Sequence, residues 1–106
     1  MAAYVIALMQ VNDPAKYRVY AAKVPSTLIG HGGRILVASD FANVREGAQP
    51  YPRTVIGEFP TMDAARGWYE SDKYQALVPL RQASTTGTVF FVEGFTLPSA
   101  SSTVIS

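Results

Sequence analysis

The sequence predicts an α+β fold: a four-stranded antiparallel sheet with both helices on one face, in the order β-α-β-β-α-β. Three observations predict it. Four short apolar stretches carry the β-branched and aromatic residues that suit a pleated, buried surface. Between the first and second, and again between the third and fourth, apolar residues recur every three or four positions, the period of a helix. Each helical stretch also opens on a residue able to cap free N–H groups.

The first strand is expected over Ala3 to Val11. Val5, Ala7, Met9 and Val11 fall on one face, and Tyr4, Ile6, Leu8 and Gln10 on the other. Both faces are mostly apolar, as in strands covered on two sides. In "NDPAKY", Asp13 can accept from the first turn and Pro14 suits the first helical position. Tyr17, Tyr20, Ala21, Val24 and Leu28 then form a one-sided stripe. Pro25 lies inside it and is expected to bend or interrupt the helix near Ala22 to Val24. "GHGG", Gly30 to Gly33, ends the helix, because glycine readily adopts the left-handed backbone of a helix stop.

A second strand is expected over Ile35 to Ser39, with a possible extension to Val44. The turn-rich loop "REGAQPYPR" follows, then a third strand, Thr54 to Phe59. The second helix starts at Thr61 or Asp63 and turns Met62, Ala65, Trp68 and Tyr69 inward. Ser71 is a fresh N-cap, so the helix is expected to break and restart there. Tyr74, Leu77, Leu80 and Arg81 line one face of the new piece, with Pro79 expected to kink it. Thr88 to Phe95 is the fourth strand. Residues 1–95 are expected to form one domain, and 96–106 a flexible tail whose Thr103 to Ile105 could pair with a sheet edge.

This order of elements is the ferredoxin-like split βαβ plan. Helices cover one face of such a sheet, yet the first and fourth strands are apolar on both. The uncovered face would be a large apolar patch, unusual on a monomer. A second copy packed sheet to sheet about a two-fold axis would cover it, so a homodimer of the dimeric α/β-barrel kind is expected.

Composition narrows the function classes. The 106 residues carry 16% charged residues and a net charge of +1, which supplies no basic footprint for nucleic acid and no cationic face for a membrane. There is no cysteine, so disulfides, thiolate nucleophiles and Cys-bound metals are excluded. The single histidine, His31, excludes a His-rich metal site but leaves a one-His haem possible. The N-terminal apolar run has no basic residue before it and is too short to span a bilayer, so the expected location is the cytoplasm.

"YAAKVPSTLIGHGGRILV", "VIGEFPTMDAARGWYESDKYQALVPLR" and "VEGF" together resemble the domain of unknown function 1330 family, within the dimeric α/β-barrel superfamily. The resemblance runs from about Ala3 to Phe95 and rests on the long pattern E-F-P…A…W-Y-x-S-x-x-Y…R. It implies the ferredoxin-like fold and a homodimer, and little chemistry. The wider superfamily holds cofactor-free monooxygenases, lactone isomerases, polyketide cyclases and haem enzymes. Where the family pattern commonly has Tyr before Gly-Gly, this sequence has His31, an imidazole in place of a phenol.

Several residues could carry chemistry. His31 reads either as a general acid or base at the mouth of a pocket, or as a cap at the negative end of the first helix. Trp68, Tyr69 and Tyr74 read as packing residues that could also wall a pocket. Glu58 and Glu93 lie near strand ends and are costly to bury unpaired, so Arg34 and Arg81 are their expected partners. Arg81 could instead clamp an anion. Ser71 is an N-cap without triad partners, and "GHGG" lacks a dinucleotide fingerprint. The candidate catalytic residues are therefore His31, Tyr69 and Arg81; the candidate substrate-binding residues are Tyr17, Trp68 and Tyr74. Tyr17, His31, Trp68, Tyr69 and Arg81 are expected to share one cleft between sheet and helices. No metal and no cofactor are expected. The inventory suits a cofactor-independent enzyme moving a proton on an apolar or aromatic small molecule, by isomerisation, cyclisation or rearrangement. The alternative is a dimeric module that binds such a molecule without turnover.

Overall fold

A computed structural model describes residues 1–96 of the chain. The elements are β1 (Ala3–Val11), α1 (Pro14–Leu28), β2 (Arg34–Ser39), β3 (Arg53–Phe59), α2 (Met62–Glu70), α3 (Asp72–Gln75), α4 (Val78–Ser84) and β4 (Thr85–Glu93). The strands form one sheet in the order β2-β3-β1-β4, every neighbouring pair antiparallel. This is the ferredoxin-like arrangement: β1 and β2 run the same way with β3 inserted between them. Apart from residue 96, the expected tail lies outside the described residues, as does pairing by Thr103 to Ile105.

The β1 alternation sets the two faces of the sheet. Ala3, Val5, Ala7 and Met9 are buried beneath the helices. Their cross-strand partners are Phe59, Gly57, Val55 and Arg53 on β3, with Phe91 and Val89 opposite Val5 and Ala7 on β4. The other face carries an apolar row in register, Val37–Ile56–Ile6–Phe90, which no element of the described chain covers. Beside it, Arg34, Glu58, Tyr4 and Val92 form a second row.

Local chemistry explains most element ends. The Asp13 carboxylate accepts from the Lys16 N–H at 3.1 Å and so caps α1. Thr61 does the same for α2 through the Ala64 N–H at 3.0 Å. Past α1, Gly30 and Gly32 take φ of +88° and +73°, the left-handed turn that stops the helix. Gly33 is required for a different reason: a Cβ there would lie 2.5 Å from the Phe59 ring.

Three boundaries differ from expectation, while β2 ends at Ser39 as expected, without the extension to Val44. α1 runs unbroken through Pro25 to Leu28, because only one turn follows the missing N–H. In that turn the Ser26 and Thr27 hydroxyls bond to the Lys23 and Val24 carbonyls. Residues 40–52 form neither helix nor strand. Pro79 does not kink a helix but sits in the first turn of a new one, where its missing N–H costs nothing, so the second helical region has three pieces. β4 starts earlier, at Thr85, since Gly87 allows the strand to approach Leu8 more closely than any side chain would permit.

Ser71 joins the first two pieces. Its hydroxyl donates to the Trp68 carbonyl at 2.6 Å and accepts from the Tyr74 N–H at 3.3 Å, so it ends α2 and starts α3. The break separates α2 from α3 at Ser71. The Trp68 and Tyr74 rings stack at 4.1 Å between centroids.

Candidate functional site

Small residues on the covered face leave room under α1. Ala7 sits mid-strand in β1, with Gly57 and Ala38 on the neighbouring strands and Ala21 on the helix above. Two cavities result, of about 50 and 110 Å³. They adjoin, sharing Ala7, Tyr20, Val24, Ile35 and Val55 as walls. Together they form an apolar cleft between α1 and the sheet.

Arg81 of α4 closes one end, beside Trp68 and Tyr74. Its Nε is buried and has no hydrogen-bond partner among the described residues. Burial, the largest influence, pulls the guanidinium pKa down, but the Tyr74 phenol, and then Tyr20 and Tyr69, outweigh it and hold the pKa above its ordinary value. Arg81 is thus a permanent cation facing an apolar space. Next to it the Tyr20 and Tyr74 hydroxyls are 2.8 Å apart. Burial, and then Tyr74, raises the Tyr20 pKa far above the usual phenol range, so Tyr20 stays neutral. The Trp68 indole donates to the Thr27 hydroxyl at 2.9 Å, which fixes the ring plane along the wall.

Arg53 marks the other end. Its Nε donates to the Tyr17 hydroxyl at 3.1 Å, and its guanidinium lies 5.4 Å from the Tyr17 ring centroid. Its Nη1 pairs with the Asp40 carboxylate at 3.1 Å. Burial lowers the Arg53 pKa, while Tyr17 and then Asp40 raise it by more.

The expected five-residue cleft does not form as one site. Trp68, Tyr74 and Arg81 line the first cavity, and Tyr17 lines the adjoining one. Tyr69 lines neither cavity: its ring packs against Tyr74 at 5.5 Å and edge-on against Phe91 at 5.6 Å, bordering a surface pocket beside β4. His31 is not among the residues lining either cavity. Its ring lies over the exposed Gly67 of α2, where a Cβ would sit 3.8 Å from Nδ1. Its backbone N–H, not its imidazole, bonds the last turn of α1, to the Leu28 carbonyl at 3.1 Å. The three residues from Leu28 to His31 carry it past the end of the cleft.

The carboxylates also divide. Glu58 pairs with Arg34, Nη2 to Oε1 at 2.7 Å, and accepts the Tyr4 hydroxyl at 3.1 Å. Cross-strand register on the open face brings these three together, so this ion pair ties strand to strand rather than helix to sheet. Glu93 is exposed and has no ion-pair partner among the described residues. The expected Glu–Arg81 pair is absent from that set because Arg81 turns inward.

Two lining residues escaped the sequence reading. Tyr20 was visible only as a member of the α1 stripe. Arg53 lay in what reads as a loop, yet extending the β3 alternation back from Phe59 through Gly57 and Val55 puts Arg53 on the covered face. Among the described residues no group of three or more His, Cys, Asp or Glu is placed to hold a metal ion, and no helix is long and apolar enough to cross a membrane. The arrangement can hold an apolar body and, at either end, an anionic oxygen.

The model of a family described as "Domain of unknown function (DUF1330)" matches residues 2–95. No curated protein matches. Among solved structures, the chain is similar to RPA0582, a protein of unknown function from Rhodopseudomonas palustris. The identity is 16%, with 91% of this chain and 84% of that one covered and a TM-score of 0.74. It is similar to SnoaB, a cofactor-independent oxygenase from Streptomyces nogalater, at 10% identity over 92% of this chain and 97% of that one, TM-score 0.61. A dimeric ferredoxin-like protein of unknown function from Thermobifida fusca aligns at 15% identity over 87% and 92%, TM-score 0.56. At these identities the likeness is one of fold.

Proposed function

The chain belongs to the DUF1330 family, and from that premise we propose that it binds a small, mainly apolar or aromatic molecule bearing an acidic oxygen, with Arg81 as the group that meets the anion. The observation that carries this reading is the buried Nε of Arg81, without a partner among the described residues, at the end of an apolar cleft. A buried guanidinium N–H left without an acceptor is costly unless a ligand supplies one. Size supports the class. An apolar cavity of about 150 Å³ takes up benzene, and the two adjoining cavities together are near that volume. The ligand body is therefore one ring or its aliphatic equivalent.

Trp68, the single tryptophan of the chain, walls the cleft and reports on it. Benzoate is the simplest probe: one ring, one carboxylate. It should change Trp68 fluorescence on binding, Arg81→Gln should weaken that binding at least tenfold, and Arg81→Lys should restore part of it. Wild-type affinity in Arg81→Gln would refute the assignment.

A second reading is turnover without a cofactor, supported by the fold shared with SnoaB. His31 stands outside the cleft, so proton transfer through His31 no longer motivates it. Arg81 would instead stabilise the enolate or phenolate of a substrate acidic enough to ionise near neutrality. The pH–rate profile would then follow the substrate's own pKa and survive His31→Ala.

The working form is a homodimer. The apolar row Val37–Ile56–Ile6–Phe90 supports this, as does the dimeric state named for the T. fusca protein. A second sheet would cover the row.

A further inference from the structure

The cleft has a second cationic end whose partner is exposed. Arg53, Tyr17 and Ala21 line both the inner cavity of about 110 Å³ and a surface pocket of about 370 Å³ whose other walls include Arg18 and Asp40. These side chains therefore stand between the cleft and the outer pocket. Arg53 is held from inside by the Tyr17 hydroxyl and from outside by Asp40. The two contacts are unequal in kind. The Arg53 side chain is 19% exposed, but that of Asp40 is 63% exposed and stands at the start of the irregular 40–52 segment. A carboxylate this exposed gains little from its ion pair, whereas an incoming carboxylate bound in the cleft would meet Arg53 on its drier side.

We infer that Arg53 is a second anion-binding residue at the mouth of the cleft, with Asp40 its replaceable internal counter-ion, so that the preferred ligand is an elongated molecule with acidic groups at both ends. The inference rests on the proposed role of Arg81 and narrows it: one acidic group meets Arg81, the apolar body lies over Ala7 and Val55, and a second acidic group displaces Asp40 from Arg53. Tyr17 positions Arg53 through its hydroxyl and ring, and Arg18 adds a second positive charge at the outer rim. A ligand with one acidic group would leave the Arg53–Asp40 pair closed.

The test compares benzoate with two aromatic diacids, terephthalate and 4-carboxyphenylacetate, by titration calorimetry on the full chain. At least one diacid should bind wild type tighter than benzoate by about tenfold. Asp40→Asn should tighten that diacid further, several-fold, and tighten benzoate by less. Arg53→Gln should abolish the preference, and Arg53→Lys, which keeps the charge, should retain part of it; R53K also serves if R53Q fails to fold. Benzoate binding that depends on Arg81 but shows no diacid preference overturns the inference and leaves the Arg81 assignment intact. A preference that persists in Arg53→Gln overturns it likewise. Binding of none of the three acids overturns both readings.

Discussion

The hydroxyls of Tyr20 on α1 and Tyr74 on α3 meet at 2.8 Å although the residues are 54 positions apart. Both side chains are buried, and their rings meet nearly edge-on at 6.3 Å between centroids. The pair joins the helix over the cleft to the broken helix beside it, next to Arg81. Tyr20, Tyr74 and Arg81 line the same cavity.

Replacing one phenol should cost more than replacing both. Tyr20→Phe or Tyr74→Phe leaves a buried hydroxyl without its partner, a loss of about 1–3 kcal/mol. The double variant removes both polar atoms and should recover part of that. Denaturant unfolding of the four proteins forms a double-mutant cycle. Strictly additive losses would mean that the hydroxyls do not interact.

The open face carries an acid-sensitive contact. Arg34, and then Tyr4, lowers the Glu58 pKa from its ordinary 4.5. A folded-state pKa below the unfolded one contributes stability above the unfolded value, and that contribution is lost as pH falls through the folded value. The stability gap between wild type and Glu58→Gln should therefore be largest above pH 4.5 and shrink below it. A gap that is constant or widens on acidification would contradict the assignment.

Gly33→Ala should destabilise the fold by about 1–3 kcal/mol through overpacking. Its Cβ would press on Phe59, which is only 1% exposed and also packs on Trp68 at 5.3 Å between centroids. Thermal or urea unfolding reads this directly. His31→Ala, two positions earlier, should change stability by about 0.5 kcal/mol or less, as for surface substitutions generally. It should leave benzoate affinity as it is.

Sedimentation equilibrium should return the mass of two chains for wild type and of one chain for Ile56→Asp. Ile56 stands in the middle of the uncovered apolar row and is partly exposed in the single chain, so a carboxylate there harms the interface more than the monomer. A dimer that survives the substitution would put the interface elsewhere.

The order and type of the elements were legible in the sequence because local causes set them. A period of two or of three to four residues, Asp13, Thr61 and Ser71 as caps, and Gly30 and Gly32 as stops all act within a few residues of chain. The inward stripe of α1 and the two-sided apolarity of β1 were legible for the same reason. The composition of the cleft was not. Arg81 and Trp68 line one cavity although Ser71 and Pro79 divide the helical region between them into separate pieces, and how those pieces pack is written in no single stretch. Arg53 meets Tyr17 because antiparallel register sets it opposite Met9, beneath α1. His31 was separated from the cleft by the direction of one glycine turn. Sequence by itself determined the order of the elements, their faces and several of their caps, since these follow from short-range sterics and hydrogen bonding. Which side chains face each other across the cleft was decided only by tertiary packing, because residues distant along the chain meet there under the joint constraint of strand register and helix docking.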